Sequence, residues 1–216
     1  MRPTFRTLST ALLTMSIAFV KPAAAQGGGV ETLTPMLRQG GYVIVLRHGA
    51  TDQSQSDRYP LDLSDMTGQR QLSEQGRASA RDIGKALVKI GIPIGKVYTS
   101  QLNRAAETGR LISAKDVTPL AELNDSSAGS ASAMAGQAGG GSARHGEALR
   151  RMANTAPAAG TNTLIVTHKT NVADAFGKTL TDLAEGEAAI FKPSAKDALL
   201  VARIKADAWD TATEKK

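Results

Sequence analysis

The chain has 216 residues and a formal net charge of +6, with 41% apolar and only 4% aromatic residues. That length allows one ordinary domain with its own core, and the composition excludes both a wholly disordered chain and a multi-span membrane protein. Cysteine is absent, which excludes disulfides, cysteine-based zinc sites, thiol catalysis and a lipoprotein anchor.

Residues 1–25 read as a secretory signal peptide. Arg2 and Arg6 give a positive start, residues 8–20 form an apolar stretch, and Ala23-Ala24-Ala25 offers a cleavage site before Gln26. Export to a bacterial periplasm follows as an expectation, with no stable membrane insertion after cleavage. The leader carries Arg2, Arg6 and Lys21 and no acid, so residues 26–216 keep about +3. This mild excess suits a small anionic substrate. No basic run with interleaved aromatics points to nucleic acid.

Residues 30–38 pattern as a short helix stopped by Gly40-Gly41. Next comes Tyr42-Val43-Ile44-Val45-Leu46, apolar without alternation, as a strand buried on both faces requires. It ends in Arg47-His48-Gly49, a cation, an imidazole and a flexible backbone at the strand's C-terminal edge, where open α/β sheets bind ligands. The polar segment 52–70 is long for a structureless connection and frames a pocket if it is functional. Arg58 and Arg70 could reach substrate from it.

Ser73 is a good N-cap for a helix to about Ile90, with Ala80, Ile83, Leu87 and Ile90 as its buried stripe. Residues 96–99 form a short strand. A second helix starts near Gln101 and carries Arg104 in its first turn. Residues 117–123 read as an edge strand leading into a loop. Residues 126–142, almost wholly Ser, Ala and Gly, cannot bury enough side chain to offset ordering entropy and read as a flexible loop. A helix over 143–156 follows. Residues 163–167 form another buried strand, ending in His168, and a helix starts near Asn171. Residues 188–191 and 198–204 close the chain as a hairpin. The alternation predicts an α/β, three-layer sandwich over 26–216: a mostly parallel sheet, helices on both faces and an antiparallel C-terminal hairpin.

In a parallel sheet, strand ends share one edge, so His48 and His168 can converge there with Arg47 and Arg104. Two guanidiniums and two imidazoles make a site for a tetrahedral dianion. Arg144-His145-Gly146 repeats the tripeptide within a helix pattern, and no strand delivers it to that edge. No clustered Asp/His set has metal-ligand spacing, so neither metal nor cofactor is expected.

These features resemble the histidine phosphatase superfamily, or phosphoglycerate mutase-like family. The likeness rests on Leu46-Arg47-His48-Gly49-Ala50-Thr51, on 98–108 around Arg104, on Leu120-Ala121-Glu122 and on Leu164-Ile165-Val166-Thr167-His168. It implies a metal-independent phosphomonoester hydrolase in which His48 is the nucleophile and becomes phosphorylated. Arg47, Arg104 and His168 then clamp phosphate, and Glu122 is the general acid, with Asp125 and Glu107 as rivals. Gly49, Thr51 and Lys169 are further candidate substrate contacts. A sugar phosphate is one implied substrate, because some exported relatives act on phosphorylated lipopolysaccharide sugars. The chain departs from many relatives in having Ser54 six residues after the nucleophile and Thr167-His168-Lys169 around the second histidine. Two other readings are a phosphate-binding protein with a decayed site and a phosphohistidine or phosphoprotein phosphatase.

Overall fold

The computed structural model describes residues 30–127 and 140–211. The expected signal peptide, and positions 128–139 of the expected loop, lie outside the described residues. Six strands, β1 (Val43–Arg47), β2 (Ile94–Ser100), β3 (Thr118–Leu120), β4 (Asn162–Thr167), β5 (Ala188–Lys192) and β6 (Leu199–Ile204), form one sheet in the order β3-β2-β4-β1-β5-β6. The first four are mutually parallel; β5 runs antiparallel to β1, and β6 to β5. The α/β class and the antiparallel C-terminal hairpin are therefore as expected.

The uniform apolarity of β1 and β4 has a direct cause. Successive side chains of a strand point to opposite faces, and both faces are covered. Ile44, Leu46, Leu164 and Val166 pack with helices α1 (Val30–Gln39), α2 (Glu74–Lys89) and α3 (Asn103–Ser113). Val43, Val45 and Ile165 pack on the other side with α4 (Gly140–Ala153) and α5 (Lys169–Phe176). Among the described residues, no helix is long and apolar enough to cross a membrane.

Several boundaries move. Helix α4 begins at Gly140, inside the segment expected to be loop, and stops at Ala153. Helix α5 starts at Lys169, directly after His168, rather than near Asn171. Of the expected edge strand only Thr118–Leu120 pairs; Ala121–Leu123 winds into a 3-10 turn that sinks Leu123 into the core.

Helix α2 is capped as expected, with Ser73 Oγ accepting from the Gly76 amide at 3.0 Å. Gly76 lies against the chain just beyond His48: a Cβ there would stand 2.0 Å from the Ala50 carbonyl oxygen. A backbone carbonyl cannot swing aside as a flexible side chain can. Gly76→Ala is expected to lower stability by about 1–3 kcal/mol, the usual range for overpacking, and to reduce turnover by displacing residues 49–51. A urea midpoint that shifts with an unchanged m-value would check the first part.

Candidate active site

Strand order puts β2, β4 and β1 side by side, and each delivers part of one cluster at its C-terminal end. The register pairs Arg47 with Thr167, so His48 and His168 are the next neighbours across the two strands. Adjacent strands lie about 4.8 Å apart, and the two imidazole centroids are 5.2 Å apart. Arg104 comes from the far side of β4, in the first turn of α3. It is fully buried despite its charge.

The backbone around the nucleophile candidate is tied down. The His48 amide donates to the Thr167 carbonyl at 3.0 Å. The Gly49 amide donates to Thr108 Oγ1 at 3.0 Å, and that hydroxyl donates to the Arg104 carbonyl at 2.7 Å. His48 Nδ1 lies 2.9 Å from the Gly49 carbonyl oxygen, a contact that needs the proton on Nδ1 and leaves Nε2 with its lone pair. Burial, followed by the field of His168 and then those of Arg104 and Arg47, lowers the His48 pKa well below its usual value. The ring is neutral at physiological pH.

The cationic groups have incomplete sets of partners. Arg104 Nη1 donates to Asp57 Oδ1 at 2.9 Å, and Nη2 stands 3.6 Å from Asp125 Oδ2. Arg47 reaches the Leu183 carbonyl at 3.0 Å and Glu185 at 3.4 Å. Among the described residues, the buried Nε atoms of Arg47, Arg70 and Arg104, Nη2 of Arg104 and both ring nitrogens of His168 have no hydrogen-bond partner. Buried donors left in that state are costly. So many at one sheet edge mark a place for an anion with several acceptor oxygens.

Four of the expected site residues have other surroundings in the structure. Glu122 is not brought to the cluster. The 3-10 turn that buries Leu123 leaves Glu122 exposed, facing a groove of about 520 Å³ lined also by Lys96, Tyr98 and Arg151. Asp125, three residues on, is the carboxylate beside Arg104 and His168. Gly49 and Thr51 serve the scaffold rather than an open pocket: both backbone groups of Gly49 are engaged as described, and Thr51 Oγ1 donates to Glu185 at 3.0 Å. Lys169 is exposed, and its charge acts on Asp182. Glu107, a rival for the acid, pairs with Arg77 at 2.8 Å. Arg58 is exposed beside Asp65, whereas Arg70 joins the site, where its charge acts on Arg47 and His168. His145 is half-buried within α4.

One site residue was missed as such. Asp57 accepts from Arg104 and from the Arg70 amide at 2.9 Å, which joins the 52–70 segment to the pocket. The length of that segment was the available signal. Nothing local marks Asp57 over Asp52, Asp62 or Asp65.

The family model described as histidine phosphatase superfamily (branch 1) matches residues 43–162, more than half of the chain. The chain belongs to the histidine phosphatase superfamily. A 2,3-bisphosphoglycerate-dependent phosphoglycerate mutase of Corynebacterium glutamicum is 37% identical over 73 residues, which is 33% of this chain and 27% of that protein. The match thus spans about a quarter of the mutase. Two solved structures of superfamily-like fold align over most of the chain. A phosphoglycerate mutase from Bacillus anthracis aligns over 82% of this chain and 99% of its own, with TM-score 0.57 and 16% identity. A phosphoserine phosphatase of Entamoeba histolytica in complex with phosphoserine aligns over 77% and 98%, with TM-score 0.52 and 14% identity. At such identities the likeness is one of fold.

Two buried histidines, His48 and His168, make the stability of this chain acid-sensitive. Burial pushes His168 down to about 3, with Asp125 opposing and Arg104 assisting. The unfolded chain takes up the proton near 6.5. Between these values the unfolded state holds the extra proton, so stability falls as pH falls, on the order of 1.4 kcal/mol per pH unit for each such imidazole. Asp125 adds to the same trend lower down. Burial would raise its pKa, but His168 and hydrogen bonds from Thr170 and Ser127 hold it at about 2. The stability it contributes is present above the ordinary carboxylate range and lost as pH falls through 2. Urea midpoints are expected to be flat above pH 7 and to decline steadily from pH 6.5 to 4.

Proposed function

We propose that this chain is a phosphomonoester hydrolase that passes the phosphoryl group first to His48 and then to water. The observation that carries the reading is one juxtaposition: a neutral, oriented imidazole with a free Nε2 stands among buried, unpartnered donors of Arg47, Arg70, Arg104 and His168. A neutral histidine can attack phosphorus, and covalent transfer splits one hard displacement into two easier ones. Guanidiniums fork onto phosphate oxygens and stabilise charge on the transferring group, the work a metal ion performs elsewhere. In this reading no metal is required.

The substrate is a small phosphomonoester. The leader composition supports export to the periplasm, and a hydrolase suits that compartment better than a mutase, which needs a bisphosphate primer. The test is a panel of phosphomonoesters, including sugar phosphates, with release of inorganic phosphate as the readout. Alongside it, ³²P-labelled substrate is quenched in alkaline detergent, which preserves phosphohistidine. Label on His48 during turnover is expected. Binding without label or release would leave a phosphate-binding protein.

A further inference from the structure

The phosphohistidine reading requires a proton for the leaving oxygen, and Glu122, which the resemblance implies for that task, lies off the cluster. Four other carboxylates stand near. Asp57 Oδ1 is taken by the Arg70 amide and Arg104 Nη1. Glu185 is taken by Thr51 and Arg47; Glu107 Oε1 is taken by Arg77, and its Oε2 is buried without a hydrogen-bond partner. Asp125 differs in that its second oxygen faces both Arg104 and His168. Oδ1 accepts from Thr170 Oγ1 at 2.7 Å, from the Ser127 amide at 3.0 Å and from Ser127 Oγ at 2.7 Å. Oδ2 faces Arg104 Nη2 at 3.6 Å and His168 Nδ1 at 3.8 Å, both too long for hydrogen bonds.

The segment carrying Asp125 is fixed from three sides. Thr167 Oγ1 donates to the Leu123 carbonyl at 3.0 Å, and Asn171 Nδ2 to the Asn124 carbonyl at 2.8 Å. Asn124 Oδ1 accepts from Ser100 Oγ at 3.1 Å and the Gln101 amide at 2.8 Å. One carboxylate oxygen is thus anchored to a rigid turn, while the other is held at the phosphate cluster. Preorganisation of this kind is what proton transfer in a transition state needs.

Within the phosphohistidine reading, on which it rests, we propose that Asp125, rather than Glu122, is the catalytic residue that carries the proton to the leaving oxygen and takes one back from water. The groups facing Oδ2 are His168 and Arg104; Arg47 from the end of β1 and Tyr59 from the 52–70 segment add weaker interactions. In the free protein Asp125 is ionised, so the proton arrives with the substrate. A phosphomonoester monoanion, whose second pKa is about 6, brings it in. Beside the resulting dianion the carboxyl is favoured in its neutral form.

The Nε2 lone pair of His48 then forms the N–P bond as the P–O bond breaks. The departing oxygen keeps that electron pair, takes the proton from Oδ2 and leaves as an alcohol. Asp125, again a carboxylate, accepts a proton from water as the water oxygen bonds to phosphorus. The N–P bond breaks with its electrons returning to Nε2. The proton on Oδ2 finally leaves with phosphate, so one monoanionic ester and one water give one alcohol and one dihydrogen phosphate.

The test is a leaving-group series in the full chain. Asp125→Asn is expected to reduce kcat/KM for an alkyl ester such as glycerol 2-phosphate by about 10²–10⁴-fold, and for p-nitrophenyl phosphate, whose leaving group needs little acid, by under about tenfold. Glu122→Gln is expected to reduce both equally little. An equal loss on both substrates in Asp125→Asn, or a leaving-group-selective loss in Glu122→Gln, would overturn the assignment. Should Asp125→Asn not fold, Glu122→Gln decides: rates nearly independent of leaving-group basicity in that variant support the proposal, and a steep dependence overturns it. Failure of wild type to hydrolyse any phosphomonoester sinks the phosphohistidine reading itself. Turnover through labelled His48 with a uniform loss in Asp125→Asn sinks only the role of Asp125.

Discussion

Replacing His48 with alanine is expected to reduce phosphomonoester hydrolysis by at least about 10⁴-fold, the scale set by removing a covalent nucleophile, and to abolish label on the protein. No second imidazole can substitute. The ring of His168 is 5.2 Å away at the end of the neighbouring strand, so its nitrogens approach any shared phosphorus from another direction. The same variant has a stability signature that activity does not supply. His48 is buried and held neutral, so below pH 6.5 its ionisation favours the unfolded chain. His48→Ala is therefore expected to lose less stability than wild type between pH 7 and pH 5, even if the cavity makes it less stable at pH 7. Steady-state kinetics, alkaline-quench labelling and urea melts at the two pH values check the three parts. Residual activity above about a hundredth of wild type would remove His48 as the phosphoryl acceptor.

Replacing Arg104 with alanine is expected to cost both activity and stability heavily. The guanidinium sits between Asp57 Oδ1 at 2.9 Å and Asp125 Oδ2 at 3.6 Å, with no exposed surface. Removing one partner of a buried ion pair leaves uncompensated charge and costs about 3–5 kcal/mol; here two carboxylates are left. Loss of a charge-stabilising donor should also lower turnover by about 10²–10³-fold. Arg104→Lys separates the two effects. A lysine restores a positive charge between the acids and should recover part of the stability, but it lacks the planar fork and should recover little turnover. Denaturant melts and kcat/KM of the pair give the answer. A stability loss under about 1 kcal/mol in Arg104→Ala would show that Asp57 and Asp125 do not depend on it.

Much of this site was legible because strand ends are. Val43-Ile44-Val45-Leu46 and Leu164-Ile165-Val166 are apolar without a break, and in a parallel sheet that pattern fixes both the element and the edge where the next residues emerge. Arg47, His48 and His168 followed from it. Arg104 was legible through its position just beyond β2, although its complete burial was not, since a charged residue is buried only when tertiary partners meet it. The carboxylates were the weak point. Leu120-Ala121-Glu122 looks like the superfamily's acid segment, but which side chain of a single 3-10 turn faces inward depends on what the turn packs against. Leu123 took the inward position beneath α4, leaving Glu122 exposed and carrying Asp125 to the cluster.

The sequence alone determined the α/β alternation, the antiparallel ending and the strand-end histidines, because hydrophobic periodicity and turn residues are local signals that act within a few positions. Tertiary structure alone decided the order β3-β2-β4-β1-β5-β6, the partners of Arg104, and the arrival of Asp57, Arg70 and Asp125 at one place. Those outcomes depend on long-range packing and on hydrogen-bonded partners 47 and 45 residues apart in the chain, and no short stretch of residues encodes such meetings.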